Sequence, residues 1–155
     1  MKILMVCLGN ICRSPLAEGI LKQKALHAGL HWDIESAGTN RFNMGVPPHR
    51  FSRKVAELNG IDLDKKRSRW FTGEDFDRFD KIYGMSVDVI SEMKEIAGAK
   101  YDDAKVKLLL DELFPGKNKD IPDPWFGAEP DFHNVFKMMD EACNKIIEKY
   151  AFIRN

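Results

Sequence analysis

The sequence has no surplus of either charge. Its 24 lysines and arginines match 24 aspartates and glutamates over 155 residues, so no overall field draws the chain to nucleic acid or to a membrane surface. Any anion site must be local. It also lacks a long apolar run: the stretch from Ile3 to Leu8 is cut off by Asn10 and Arg13, which excludes a secretory apolar core, and no segment approaches bilayer-spanning length. A cytoplasmic location with no membrane partner is expected. Cysteine is scarce, with three residues, an odd number that argues for thiols with packing or chemical roles instead of a disulfide scaffold. The four histidines form no cluster that would complete a metal site begun by Cys7 and Cys12, so neither metal nor cofactor is expected. There is no internal repeat, low-complexity tract or linker composition.

What remains is a 44% hydrophobic chain of the right length for one core, hence one domain over residues 1–155. Lys2 to Cys7 reads as a buried strand and Pro15 to Ala28 as a helix, with Ser14 placed as its N-cap and Pro15 as its first residue. A second strand is expected at Trp32 to Ala37 and a helix at Phe51 to Asn59, ended by Gly60. Lys81 to Met85 and the stretch AKVKLLLDEL read as further strands, with helices at Val87 to Ala97 and at Asp131 to Tyr150. Alternating strands and helices predict an α/β domain of three layers, with a four-stranded parallel sheet covered by helices on both faces. The irregular stretch KNKDIPDPWFGAEPD is too long for a simple connection.

Chemistry concentrates in CLGNICRSP, where the first strand turns into the first helix. A glycine-containing loop there aims several backbone N–H groups at one point, with the positive end of a helix dipole behind them, and so cradles an anion. The carboxyl end of a parallel strand is also where open α/β sheets bind ligands. Arg13 closes the loop with a planar fork suited to two phosphate oxygens. Cys7 opens it, in surroundings that favour the thiolate, a nucleophile aimed at phosphorus. Far along the chain, Pro122 and Pro124 stiffen the backbone on either side of Asp123 and hold out a carboxyl group that can serve as general acid and base.

VCLGNICRSP, Val6 to Pro15, resembles the signature V-C-x-G-N-x-C-R-S-P of the low-molecular-weight protein tyrosine phosphatases. The likeness continues through SAGT at Ser36 to Thr39, the GxPP stretch at Gly45 to Pro48 and the pair Asp123–Pro124, covering essentially the whole chain. By that resemblance Cys7 is the nucleophile, Arg13 binds the phosphate and Asp123 is the general acid. Leu8, Gly9, Asn10, Ile11, Cys12 and Ser14 complete the phosphate-binding loop. Ser14 stabilises the thiolate, Asn10 holds the loop in shape and Ser36 supports Asn10. Phe42 and Trp125 match aromatic positions that wall the substrate slot. The implied activity is hydrolysis of phosphotyrosine and small aryl phosphates through a phosphocysteine intermediate, without metal, by a monomer whose partners are a phosphotyrosine-containing protein and a tyrosine kinase.

Two departures from the family stand out. Trp125 and Phe126 replace a tyrosine pair, which removes control by phosphorylation there, and GMSVDV at Gly84 to Val89 lacks an acidic group at its usual place, leaving Asp88 nearby. Cys12 reads either as a packing thiol or as a redox partner of Cys7, and Cys143 as a core residue. His27, His31, His49 and His133 read as solvated surface. The alternatives are a protein-arginine phosphatase, disfavoured by the apolar Ile11 where that branch carries threonine, and an arsenate reductase, disfavoured by the lack of any cysteine between Cys12 and Cys143. A phosphocarrier would need neither Arg13 nor Asp123.

Overall fold

Side-chain alternation along the first strand decides how the sheet is covered. In a computed structural model that describes residues 1–153, β1 (Lys2–Cys7) is buried along all but its first residue. Ile3, Met5 and Cys7 pack into a core with α1 (Arg13–His27) and α5 (Glu129–Tyr150). Leu4 and Val6 point the other way, into a core with α4 (Val87–Ala97) and with Phe71, Phe76 and Phe79 around the short α3 (Asp75–Arg78). Cys7 therefore inherits the α1 face by period alone, and its thiol meets the first turn of that helix.

The remaining strands are β2 (Asp33–Gly38), β3 (Lys81–Gly84) and β4 (Val106–Leu108), and the sheet runs β2-β1-β3-β4 with every pair parallel. This is the expected three-layer α/β domain. Because β2 and β3 flank β1 on opposite sides, the connections leave in opposite directions at its carboxyl end and open a crevice there. Cys7 pairs with Gly38, and Val6 pairs with both Ala37 and Gly84.

Three boundaries differ from expectation, each for a local reason. α1 starts at Arg13, so Ser14 is not its N-cap; Cys12 holds that position without a side-chain cap. The loop reaches helical geometry early because Asn10 turns the chain in a left-handed conformation at φ 55°, leaving the Ser14 hydroxyl free to face Cys7. β4 is only three residues long, since Leu109 and Leu110 leave the sheet in a 3₁₀ turn, Leu109–Glu112, to fill the core beside α5. α5 begins at Glu129, where Asp131 Oδ2 accepts the Ala128 N–H at 2.9 Å.

α2 (Arg50–Leu58) follows the expected segment closely. The long irregular stretch before α5 is pinned where it passes the sheet: the Ile121 N–H donates to the Met85 carbonyl at 2.8 Å, and the Val87 N–H donates to Asp120 Oδ1 at 2.8 Å.

Candidate active site

Cys7 is almost wholly buried, and its Sγ accepts the Asn10 N–H at 3.2 Å and lies 2.9 Å from Ser14 Oγ. The direction of that second contact follows from the groups behind it. Ser36 Oγ donates to Glu18 Oε1 at 2.6 Å, so it must accept from Asn10 Nδ2, at 2.9 Å. The same Nδ2 donates to Ser14 Oγ at 2.8 Å, which leaves the Ser14 proton to point at sulfur; the Ala37 carbonyl, at 3.4 Å, is the weaker alternative. A hydroxyl donor aimed at sulfur, beside a backbone N–H, is an arrangement that suits a thiolate.

The loop is held from outside as well. Asn10 Oδ1 accepts the Arg69 N–H at 3.0 Å, and Arg69 is itself fixed by Asp75 at 3.0 Å. Glu18, buried, is paired with Lys22 at 2.7 Å and Lys66 at 3.2 Å. Burial opposes its charge, but Lys66, Lys22 and Ser36 together hold its carboxyl below the usual range. Gly38 lets β2 pass close beneath: a Cβ there would lie 2.8 Å from the Leu8 carbonyl oxygen and 2.9 Å from Asn10 N.

Arg13 lies buried in the first turn of α1, with Nη1 donating to the Ile121 carbonyl at 2.9 Å and Nη2 3.7 Å from Asp123 Oδ2. The other Asp123 oxygen accepts the Trp125 N–H at 3.0 Å, closing the acid-bearing loop on itself. Cys7, Leu8, Gly9, Ile11, Cys12, Arg13, Asp123 and Trp125 line one cavity of about 310 Å³. Asn10, Ser14 and Ser36 stand behind it as the support just described.

Phe42 does not join them. It is 94% exposed and outside the cavity wall, because its N–H donates to Asn40 Oδ1 at 2.9 Å in a tight turn that presents Asn40 and Asn43 to the cavity instead. Phe126 also lines the wall. His49, expected at the solvated surface, is half-buried and partnered: its Nδ1 caps α2 by accepting the Phe51 N–H at 3.0 Å. No acidic side chain stands at the expected place in GMSVDV, and Asp120 accepts the Val87 N–H at the start of α4. Ser86 instead caps α4 through Val89, and Asp88 faces a neighbouring cavity that shares Leu8, Arg13 and Asp123 with the first.

Sequence reasoning missed Glu18, Gly38, Lys66, Arg69 and His49. Of these only Gly38, inside SAGT, carried a local signal. Cys12 lines the cavity, but burial, then the charges of Cys7 and Asp123, push its thiol up to about 12 against the pull of Arg13. Cys7, Cys12 and Cys143 are all free thiols. Among the described residues no group of three or more His, Cys, Asp or Glu side chains is placed to hold a metal ion, and no helix is long and apolar enough to cross a membrane.

A buried thiol inside an anion loop, with an arginine and a carboxyl group facing it at the switch point of a parallel sheet, defines the class of cysteine-dependent phosphatases. Comparison with known proteins takes this one step further. The family model for low molecular weight phosphotyrosine protein phosphatases matches residues 2–152, and the chain belongs to that family, whose members are phosphatases that work through a phosphocysteine. It is 34% identical over 147 residues to the low molecular weight protein-tyrosine-phosphatase YfkJ of Bacillus subtilis, covering 94% of this chain and 92% of that one. The crystal structure of a protein tyrosine phosphatase from Entamoeba histolytica, with Hepes in its active site, matches at a TM-score of 0.89 and 35% identity over 97% of each chain. The arginine phosphatase YwlE matches at a TM-score of 0.87 over 99% of this chain and 98% of its own, but at 24% identity, which is a likeness of fold alone.

Proposed function

We propose that the protein is a protein-tyrosine phosphatase in which Cys7 is the nucleophile, Arg13 the phosphate clamp and Asp123 the general acid and base. The observation that carries the reading is the depth of Cys7. Cys7, 2% exposed, lies in the buried part of the cavity wall, while Trp125 and Phe126, 47% and 95% exposed, stand among its exposed lining residues. A phosphate must be carried down past these aromatic side chains on a long, flat group, which phosphotyrosine supplies and phosphoserine does not.

The phosphate dianion enters the loop N–H groups and the fork of Arg13. Cys7 sulfur attacks phosphorus, the S–P bond forms as the P–O bond to tyrosine breaks, and Asp123 gives its proton to the departing phenolic oxygen. Asp123 then takes a proton from water, whose oxygen attacks the phosphocysteine; inorganic phosphate leaves and the thiolate returns to the Ser14 hydroxyl. The charge that builds on the equatorial oxygens is met by donors already in place. A tyrosine kinase is the class of enzyme that must supply the substrate.

Ile11 offers no polar group to a phosphoguanidinium, which supports tyrosine over arginine as substrate. Arsenate reduction needs a relay thiol, and Cys143 is fully buried on α5, where desolvation pushes its thiol up. The test is kcat/KM of the purified protein, with EDTA present, on phosphotyrosine, phosphoserine and phosphoarginine peptides. Preference for phosphotyrosine is expected, with no turnover by Cys7→Ser. A preference for phosphoarginine would overturn the substrate assignment, and residual turnover by Cys7→Ser would overturn the nucleophile.

A further inference from the structure

His49 stands between the two loops that the proposed chemistry must keep in register. Its backbone N–H donates to the carbonyl of Ile11, in the phosphate loop, at 3.0 Å. Its ring stacks on Phe132 of α5, centroids 4.7 Å apart at 26°, and meets Trp125 edge-on at 5.5 Å and 76°. The backbone N–H of Trp125 in turn donates to Asp123 Oδ1. An unbroken line of contacts thus runs from Ile11 through His49 and Trp125 to the carboxyl group over the cavity.

The cap on α2 does not explain a histidine here. Asparagine, aspartate, serine and threonine fill N-cap positions at least as well, and none of them has an aromatic face. The acid loop needs such a face on its far side. Before Asp123 the chain is tied at Ile121 to Met85 and to Arg13; after it, Trp125 and Phe126 are exposed, and the ring contact with His49 ties Trp125 to the phosphate loop.

We propose that His49 is a positioning residue for the general acid, its ring fixing Trp125, and through it Asp123, relative to the phosphate loop. This rests on the reading of Asp123 as the acid. Positioning of that kind acts on the step in which the proton is delivered, so its loss shows most where the leaving oxygen most needs the proton.

The test compares the parent, His49→Asn, His49→Phe and Asp123→Ala on aryl phosphates that span a range of phenol acidities, with thermal unfolding of each. His49→Asn keeps a neutral cap and removes the ring. It should unfold close to the parent temperature yet lose roughly tenfold in kcat/KM, which reports formation of the phosphocysteine and not its hydrolysis, on the least acidic phenol, short of the ~10²–10⁴-fold that a general acid contributes. On the most acidic phenol it should stay within about twofold of the parent, because proton delivery is then little needed. His49→Phe keeps a ring and loses the cap, so it should unfold at a lower temperature with the parent's dependence on leaving group. A His49→Asn protein with the parent's dependence, or with an equal loss on every substrate, overturns the proposal. An Asp123→Ala protein without a steepened dependence overturns the acid assignment itself, and the proposal falls with it.

Discussion

Oδ2 of Asp123 lies 3.7 Å from Nη2 of Arg13, so the proposed proton donor and the proposed phosphate clamp face each other across the cavity. Arg13 holds the stem of the acid loop at the same time, through the Ile121 carbonyl. Its guanidinium is therefore set by two partners before any phosphate arrives.

Arg13→Lys should be nearly inactive. A lysine keeps the charge but cannot offer two parallel donors to phosphate while also holding Ile121. A fall in kcat of about 10²–10³-fold is expected, the usual scale for losing one directed donor to the transition state, with a smaller rise in KM. Steady-state kinetics on p-nitrophenyl phosphate measure both, and a near-normal kcat would show that Arg13 serves only the fold.

The cysteines should differ sharply toward iodoacetamide. Cys12, pushed up to about 12, stays a thiol at neutral pH, and the thiolate is the form that alkylates. The parent should take one label on Cys7, blocked by inorganic phosphate, and the Cys7→Ser protein should take none in the same time. Mass spectrometry reads the sites directly, and rapid labelling of Cys12 would contradict the burial that raises it.

Gly38→Ala is expected to damage the loop without touching any side chain in it. The added methyl would press on the Leu8 carbonyl and on Asn10 N, both backbone atoms with nowhere to go. Overpacking of this kind typically costs about 1–3 kcal/mol. Denaturant unfolding and kcat/KM should both fall, and a variant that loses stability while keeping full activity would place the strain elsewhere.

Acid should weaken the scaffold through Glu18. Its carboxyl is held below the ordinary 4.5 in the folded protein, so the unfolded chain binds its proton at higher pH than the folded one does. The stabilisation is complete above that ordinary value and fades as pH falls through the lower folded value. Glu18→Gln should be less stable than the parent at neutral pH, and the gap should narrow as pH falls below that ordinary value and the carboxyl takes up its proton. A gap that does not change with pH would mean that the charge of Glu18 contributes nothing.

How far the site could be read from the chain depended on where its parts lie in sequence. Cys7, Gly9, Arg13 and Ser14 sit within one strand-to-helix turn, where an anion cradle needs fixed residue types at fixed spacing, and Asp123 carries two prolines as markers. The sheet followed from the alternation of apolar strands and amphipathic helices. Lys66 and Arg69 were illegible because they act on Ser36 and Asn10 across gaps in sequence with no local pattern to announce them. Phe42 and Phe126 are both aromatic loop residues in sequence, and only the turn at Asn40, which keeps Phe42 off the cavity wall, tells them apart. Ser14 ahead of Pro15 imitates a helix cap, and it took the left-handed turn at Asn10 to move the helix start to Arg13.

The anchoring of Asn10 to Ser36 and to the Arg69 backbone also bears on transplantation. Ten residues from Val6 to Pro15 spell the motif, but they do not carry its shape with them. Grafted after a strand in another parallel α/β scaffold, VCLGNICRSP would find no serine to receive the amide, no backbone N–H to meet its oxygen and no glycine beneath to let the neighbouring strand come near. A designer who wants a working phosphate loop must move Ser36, Gly38 and Arg69 with it, which makes the smallest portable unit a three-part assembly gathered from across the first seventy residues.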